Sequence, residues 1–549
     1  MNTFDTIKTY ILSSITQLFG LKSEQIKNIE ISVSTNKEEL FGDISCNASM
    51  TLAKELKKNP REIAKNIKTK LEENKEYFSL IEIAGPGFIN ITLTPEIWIK
   101  ISNELYTKKE EFFALDKGIK RKKYLIEFVS ANPTGPLHLG TGRGGIIGDV
   151  LANVLKLLGH QATKEFYIND TGNQIKNLAI SLKVRCQQEL GEDIQIPENG
   201  YKGSYLIDIA KECIKDHGKD VISKPNSFFE TYAKDRLLEK IKNTLNDYGV
   251  KFDSWFSEKS LFEDGSVNKV IEILKEKEFV YEKDGALWFK SSHFGDDKDR
   301  VIKKKDGEFT YIASDIAYHK NKFDRNFEIL VDILGQDHHG YVNRLKATLE
   351  ALEFDADALQ VILYQLVSVK LGDELVKMSK RAGTFTTLEK IIKTVGKDVA
   401  RFFYLNRKSD THLDFDLATA LKKTDENPAH YIQYAYVRTN SLLKRANEEG
   451  LNFSLKNFKN ISKAEIKVLK KIISLKQSLI TIASTYQVHL IAYYTVELAK
   501  IFHNYYMNNR IIDPTDLETS KSRLVLVQLV QNMLAMCLDL LRLSKPEKM

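Results

Sequence analysis

The sequence predicts an α/β protein built on a parallel sheet with a helical insertion, preceded by a smaller α+β segment and followed by an all-helical one. Three observations predict this. A strand, an amphipathic helix and a second strand follow one another between Lys123 and Ile168. Short helical and strand-like runs alternate ahead of that unit. From Glu389 onward the apolar residues recur at helical spacing, as in "HYIQYAYVRTNSLLKRA" and "VELAKIFHNYYMN".

At 549 residues the chain is too long for one core, and three or four domains of ~150 residues are expected. The opening "MNTFDTIKTYILSSITQLFG", with Asp5 and Lys8, reads as an amphipathic helix and not as a signal peptide. "EIAGPGFINITL" is a strand pair around a Gly-Pro-Gly turn. "YTKKEEFFALDKGIKRKK" is a charged connector and a domain boundary. In the core, "YLIEFV" is a strand, and Ile146, Ile147, Val150, Leu151, Val154, Leu155 and Leu158 form a helical stripe stopped by Gly159. "ATKEFYI" is the second strand. This βαβ unit implies a parallel sheet with a ligand crevice at the strand ends. Residues from 175 to about 285 read as a helical insertion, and "ALWF", "FTYIA", "FEILVDIL" and "LQVILYQLV" as further strands. The expected domains are 1–110, 118–388 and 389–549.

Composition excludes several classes. Hydrophobic content of 42% and charge of 28% are those of a soluble globular protein. No continuous apolar run approaches the ~18 residues of a membrane span, so no membrane is expected. Four scattered cysteines, without CxxC spacing or nearby histidines, point to a reducing cytoplasm and to neither a disulfide framework nor a zinc ribbon. A net charge of +7 permits a polyanionic partner without requiring one.

Between the first strand and its helix lies "SANPTGPLHLGTGRGG", holding Pro133, Pro136 and five glycines. A strand end, glycines and a helix N-terminus let backbone amides approach phosphate closely. The stretch has neither the GxxxxGK[ST] of a Walker loop nor the glycine spacing of a dinucleotide fingerprint. His138-Leu139-Gly140 sets an imidazole donor beside a gap where a nucleotide could press on the backbone, although a plain turn with an incidental histidine would read the same. Far downstream, "DELVKMSKRAGTF" carries Lys377 and Lys380 around Met378 and Ser379. Two lysines on a loop can reach an α-phosphate and stabilise charge as it develops. A lone KxxK is usually a solvated face. Paired with His-x-Gly after a strand, it is specific.

These two segments, HLGT and KMSKR here, resemble the "HIGH" and "KMSKS" signatures of class I aminoacyl-tRNA synthetases. Finer matches resemble the arginyl-tRNA synthetase family: "NPTGPLH", "YINDTGNQI", "GDDKDRV", "TYIASDIAYH", "GQDHHGYVNRL", "PAHYIQYAYVR", the terminal "PEKM", and an N-terminal "FGDISCNASMTLAKELKKNPREIA". The resemblance spans essentially the whole chain. It implies a Rossmann-type catalytic core, an N-terminal domain touching the outer corner of tRNA, and an all-α anticodon-binding bundle. The partners would be L-arginine, ATP with Mg²⁺, and tRNA(Arg), in a monomer, with activation waiting for tRNA.

By that resemblance His138, Gly140, Thr141, Lys377 and Lys380 are catalytic, with no structural metal. Pro136, His138, Gly140, His338, Met378 and Ser379 would hold ATP. Thr141 stands where the family usually has a second histidine; its hydroxyl can donate one hydrogen bond but cannot become cationic. Glu127, Asn132, Tyr311, Asp315 and Gln336 would hold arginine. Tyr311 and Asp315, four apart on a helical turn, can face one pocket, where a carboxylate meets a planar guanidinium in fork geometry. The plainer readings are a helix cap for Asp315 and a salt-bridged strand residue for Glu127. Adjacent His338 and His339 do not converge on one metal ion. Tyr431, Gln433, Tyr434 and Arg438 suit stacking on unpaired bases, unless some are bundle core. Rival readings are another class I synthetase, a small-molecule nucleotidyltransferase and a non-catalytic tRNA-binding relative.

Overall fold

The computed structural model describes residues 2–34, 42–372, 374–375 and 387–549. These form two compact units, Met1–Lys120 with Leu157–Gly159 and Lys423–Met549, and Arg121–Lys156 with His160–Lys422.

The chain begins with α1 (Thr3–Phe19), capped by the Asn2 side chain and stopped by left-handed Gly20. Then come β1 (Ile31–Val33), β2 (Ile44–Cys46), α2 (Ala48–Leu56) and α3 (Pro60–Leu71), followed by β3 (Phe78–Ala84), β4 (Phe88–Leu93) and α4 (Pro95–Lys108). The strands form an antiparallel sheet in the order β1-β2-β4-β3, and β3 and β4 are the expected pair.

The second unit opens with β5 (Lys123–Phe128), α5 (Thr141–Leu157) and β6 (Gln161–Ile168), the expected βαβ motif. Next are α6 (Gly172–Glu189), α7 (Tyr205–His217), α8 (Asn226–Asp247), β7 (Ser254–Ser257), α9 (Glu258–Glu263) and α10 (Ser266–Glu276). A small antiparallel sheet joins β8 (Val280–Lys283), β9 (Ala286–Phe289) and β10 (Arg300–Lys303). After α11 (Tyr311–Asp324), β11 (Ile329–Gly335), α12 (Val342–Ala351) and β12 (Leu359–Tyr364), the main sheet is complete. Its order is β12-β11-β5-β6-β7, every pairing parallel. The chain crosses from β5 to β6 on one side and returns to β11 on the other, so β5 borders the switch point where ligands bind such sheets.

Three expectations need correction. The stretch 175–285 is not one insertion, because β7 is the fifth strand of the main sheet and only α6 to α8 stand outside it. "FTYIA" is not a strand: Thr310 is extended and α11 starts at Tyr311. Three of the five loop glycines (Gly142, Gly144 and Gly145) lie inside α5, together with Gly148 of the expected helical stripe. A Cβ on Gly148 would sit 2.3 Å from Phe128 Cγ, and one on Gly144 2.8 Å from Tyr364 Cε1. These glycines let α5 press onto its own sheet.

The unit ends with β13 (Val367–Leu371), β14 (Glu374–Leu375), α13 (Leu388–Val395), α14 (Lys397–Leu405), β15 (Leu413–Asp416) and α15 (Leu417–Ala420). Residues 389–422, expected with the helical tail, therefore pack in this unit. The reason is a buried charge centre: Asp149 of α5 accepts from Lys164 at 2.9 Å and from Arg401 at 2.6 Å, all three excluded from water.

The tail is a bundle of α16 (Pro428–Glu448), α17 (Lys463–Thr485), α18 (His489–Asn508) and α19 (Leu517–Leu541). Asn427 caps α16 ahead of Pro428, and Ser462 with Glu465 forms a capping box on α17. By length and composition α19 could cross a membrane, which reading continuous apolar runs had missed; 72% of its most apolar window is buried in the bundle. In the same unit, α17 holds the N-terminal part through Lys470, which donates to the Gly42 carbonyl at 2.5 Å and pairs with Asp43 at 3.0 Å.

Candidate active site

The residues expected to hold arginine gather at the carboxyl ends of the main-sheet strands. β5 delivers Glu127 and then breaks sharply. Val129 and Ser130 both have positive φ (68° and 39°), and the Ser130 N–H donates to the Phe128 carbonyl two residues back at 2.9 Å. A β-branched residue at φ 68° is costly and is kept only where surrounding contacts over-determine it. The turn directs Ser130 Oγ back to Glu127 Oε1 at 3.0 Å and leads to Asn132, whose amide donates to Gln174 Oε1 at 2.8 Å.

Helix α11 supplies Tyr311 and Asp315. Asp315 lies inside the helix, which removes the cap reading. Its carboxylate accepts from the Tyr341 hydroxyl, and Tyr341 follows the β11 end. Tyr311 is 55% exposed at the helix start, open to solvent above the half-buried Asp315. Gln336 is half-buried just after β11.

A third carboxylate, Glu258, caps the end of β7. It is buried and accepts from Ser314 at 2.6 Å and from Thr171 at 3.1 Å. The Tyr167 hydroxyl, also buried, lies by Glu258 and Ser314 without a hydrogen bond of good geometry. Among the described residues no lysine or arginine pairs with Asp315 or Glu258. Burial first, then Glu258 and Glu127, push the Asp315 carboxyl up to about 6 against the Tyr341 bond and His319. Burial likewise raises Glu258, against the hydrogen bonds from Ser314 and Thr171 and the nearby Tyr167 hydroxyl. Such a pocket favours a cation that brings its own donors.

Glu127 differs. It accepts from Lys322 Nζ at 2.7 Å; Lys322 also reaches Asp332 at 2.8 Å. The salt-bridged reading of Glu127 is therefore correct as geometry, yet it still lies close enough to Asp315 to influence its charge.

The nucleotide side is built by the loop before α5. The Gly140 N–H donates to His138 Nδ1 at 3.1 Å, so the ring proton sits on Nε2, directed away from that contact. His138 is exposed, and Gly140 and Thr141 are half-buried at the helix N-terminus, where backbone N–H groups favour an anion. Pro136 is half-buried in the same loop. Backbone pairing of His138 with Thr387 joins this loop to the start of α13. Lys377, Met378, Ser379 and Lys380 themselves lie outside the described residues. His338 is half-exposed, and its ring meets Tyr341 edge-on at 6.2 Å, linking the nucleotide side to the Asp315 pocket.

In the other unit, Tyr431 and Tyr434 share one face of α16, as spacing suggested, and that face is not core. Their rings lie 4.8 and 5.6 Å from His503 of α18. Arg438 lies over the rings of Tyr434 and Tyr506 at 5.2 and 4.9 Å. Gln433 is occupied differently: its amide donates to the Ser544 carbonyl at 3.1 Å.

Sequence reading missed Glu258, Tyr341, Lys322 and Arg143. The fully buried Arg143 donates to the carbonyls of Gln365, Thr411 and Lys408 at 2.7–3.0 Å, anchoring the start of α5. The one available signal was the place of Glu258 directly after "SWFS", hidden because that strand was absorbed into a supposed helical insertion.

A parallel sheet with a carboxylate pocket at its switch point, entered beside a His-x-Gly helix start, defines a class I tRNA synthetase catalytic domain. Residues 100–415 match the family described as tRNA synthetases class I (R), catalytic domain; residues 432–549 match the DALR anticodon binding domain, and 5–93 the arginyl tRNA synthetase N terminal domain. The chain belongs to the arginyl-tRNA synthetase family. It is similar to arginine–tRNA ligase 1 of Halalkalibacterium halodurans, 42% identical over 526 residues, covering 95% of this chain and 94% of that protein. It is also similar to the arginine–tRNA ligase of Bacillus subtilis, 40% identical over 551 residues, covering 99% of each. The solved arginyl-tRNA synthetase of Thermus thermophilus shares the fold, with a TM-score of 0.73 at 21% identity over 98% of this chain and 99% of that one.

Proposed function

We infer that the chain is an arginine–tRNA ligase, which activates L-arginine with ATP and passes the arginyl group to the 3′-terminal adenosine of tRNA(Arg). The observation that carries this reading is the pair of carboxylates, half-buried Asp315 and buried Glu258, with which no described lysine or arginine pairs, at the sheet's switch point beside His138. A guanidinium and an α-ammonium would supply the missing charge.

In the first step an arginine carboxylate oxygen attacks the α-phosphorus of ATP, which enters as its magnesium complex, and pyrophosphate leaves. In the second a ribose hydroxyl, expected to be the 2′, attacks the carbonyl carbon, AMP leaves and the hydroxyl proton passes to solvent. Positioning and charge stabilisation suffice for both. Asp315 and Glu258 hold the guanidinium, with Tyr311 closing over it, while Glu127, Asn132 and Gln336 orient the backbone end. His138 Nε2–H and the α5 N-terminus, with Pro136, Gly140, Thr141 and His338, hold ATP. Lys377 and Lys380, flanking Met378 and Ser379, neutralise charge on the α-phosphate and leaving pyrophosphate.

Tyr431, Tyr434 and Arg438 stack on anticodon bases, and Gln433 holds the chain's C-terminal end beside them. The N-terminal domain, 1–110, touches the outer corner of the tRNA, and the anticodon bundle begins near Lys423. The protein acts as a monomer. It works in the cytoplasm; four free buried thiols suit a reducing compartment. ATP–pyrophosphate exchange with each of the twenty amino acids, with and without tRNA, tests the reading. Exchange should appear with arginine alone, and only when tRNA is present. Exchange driven by a different amino acid would defeat it.

A further inference from the structure

Behind the arginine pocket lies a set of buried charges paired with one another. Lys322 of α11 has no exposure to solvent. Its ammonium meets Glu127 at 2.7 Å and Asp332 at 2.8 Å, and sits over the Tyr318 ring at 4.4 Å. Asp332 of β11 takes its other oxygen to His319 Nε2 at 3.0 Å, and His319 Nδ1 meets the Asp315 carbonyl at 2.8 Å. Both ring nitrogens thus face oxygen atoms, one on Asp332 and one on the Asp315 backbone. Glu127 and Asp332 share the Lys322 ammonium, while among the described residues no lysine or arginine pairs with Asp315 or Glu258.

We propose that Lys322 is a positioning residue for arginine recognition: by holding one oxygen of Glu127 from behind, it fixes that carboxylate's orientation at the rim of the pocket. The proposal rests on the arginine reading of the site. Three elements converge on the one ammonium, so the arrangement also locks α11 to β5 and β11. Burial alone would discharge Lys322, but Asp332 and Glu127 outweigh it and hold its proton more tightly than usual. Burial would also raise Asp332, yet Lys322 and His319 keep it well below the ordinary carboxylate range. Burial wins for Glu127, which is raised even with Lys322 present, so without the lysine it would protonate at still higher pH. The charged and titratable groups around Glu127 are Lys322, His319, Tyr318, Asp315 and Arg325 from α11, Asp332 from β11 and Tyr167 from β6.

The test is tRNA charging by the full chain, with KM for arginine and for ATP measured across about pH 6–8.5. Lys322→Met keeps the stem and removes the charge. Its KM for arginine should rise about 10-fold or more, the loss expected for a hydrogen bond to a charged group, with KM for ATP nearly unchanged. Its arginine affinity should begin to fall at a higher pH than that of the wild type as pH is lowered. If this variant does not fold, Lys322→Met with Asp332→Asn removes one buried charge of each sign, still frees Glu127, and should show the same loss. A folded variant with wild-type arginine KM and pH profile, whatever its melting temperature, would leave Lys322 a stabilising residue only. Wild-type protein that charges no arginine would instead overturn the function itself.

Discussion

At the scale of single residues the account turns on Asp315. Asp315→Asn keeps the size, removes the charge and presents an amide donor to a donor-only ligand. Losing one partner of a desolvated charge pair costs ~2–5 kcal/mol, or roughly 30- to 5,000-fold in kcat/KM for arginine, with KM for ATP spared. Steady-state charging kinetics measure both. Proton linkage gives a second prediction. Because Asp315 in the empty pocket titrates near about 6 and arginine binds its ionised form, binding below that pH must expel a proton. The kcat/KM for arginine should therefore fall by about 10-fold per pH unit below that value and level off above it, in a pH series that keeps arginine subsaturating. Tyr311 and Asp315 were legible in the sequence because both sit in one short motif at helical spacing. Glu258 and Lys322 were not, since their partners arrive from strands and helices far away along the chain, and only the folded sheet brings those ends together.

At the scale of elements, the βαβ unit could be read directly, because a stripe of seven apolar residues and a stop glycine leave no other period. The reading put Gly142, Gly144 and Gly145 in the loop, whereas the structure has them in α5. In the sequence they look like a loop that cradles phosphate. In the structure, those inside α5 are notches for rings supplied by β5, β12 and α14, which no local pattern could announce. Gly148→Ala tests this: a Cβ 2.3 Å from Phe128 Cγ overpacks the interface of helix and sheet. The expected cost is ~1–3 kcal/mol, seen as a lower melting temperature, with arginine KM unaltered at temperatures well below it. A melting temperature equal to wild type would show that α5 has room to spare.

For the molecule as a whole, the order of core and tail was legible from the change in hydrophobic period, but the boundary between them was not. Residues 389–422 begin with helices like those of the tail, and what ties them to the catalytic unit is Arg401, whose guanidinium reaches Asp149 at 2.6 Å and the Tyr248 carbonyl at 2.9 Å. Arg401→Met removes one of the cations that pair with Asp149 in a dry interior and should cost ~3–5 kcal/mol in chemical denaturation of the second unit. The joining of the N-terminal domain to the anticodon bundle depends on pairs such as Lys470 with Asp43, separated by most of the chain. All of these parts have a common purpose only if one substrate, a tRNA, is charged with one amino acid. The direct measurement is charging of total bacterial tRNA by the purified full-length protein, with each of the twenty labelled amino acids in turn and citrulline as a neutral near-isostere of arginine. The account predicts acid-precipitable, ATP-dependent incorporation of arginine alone. Charging with citrulline or lysine at a rate close to that of arginine, or no charging with arginine, would contradict it.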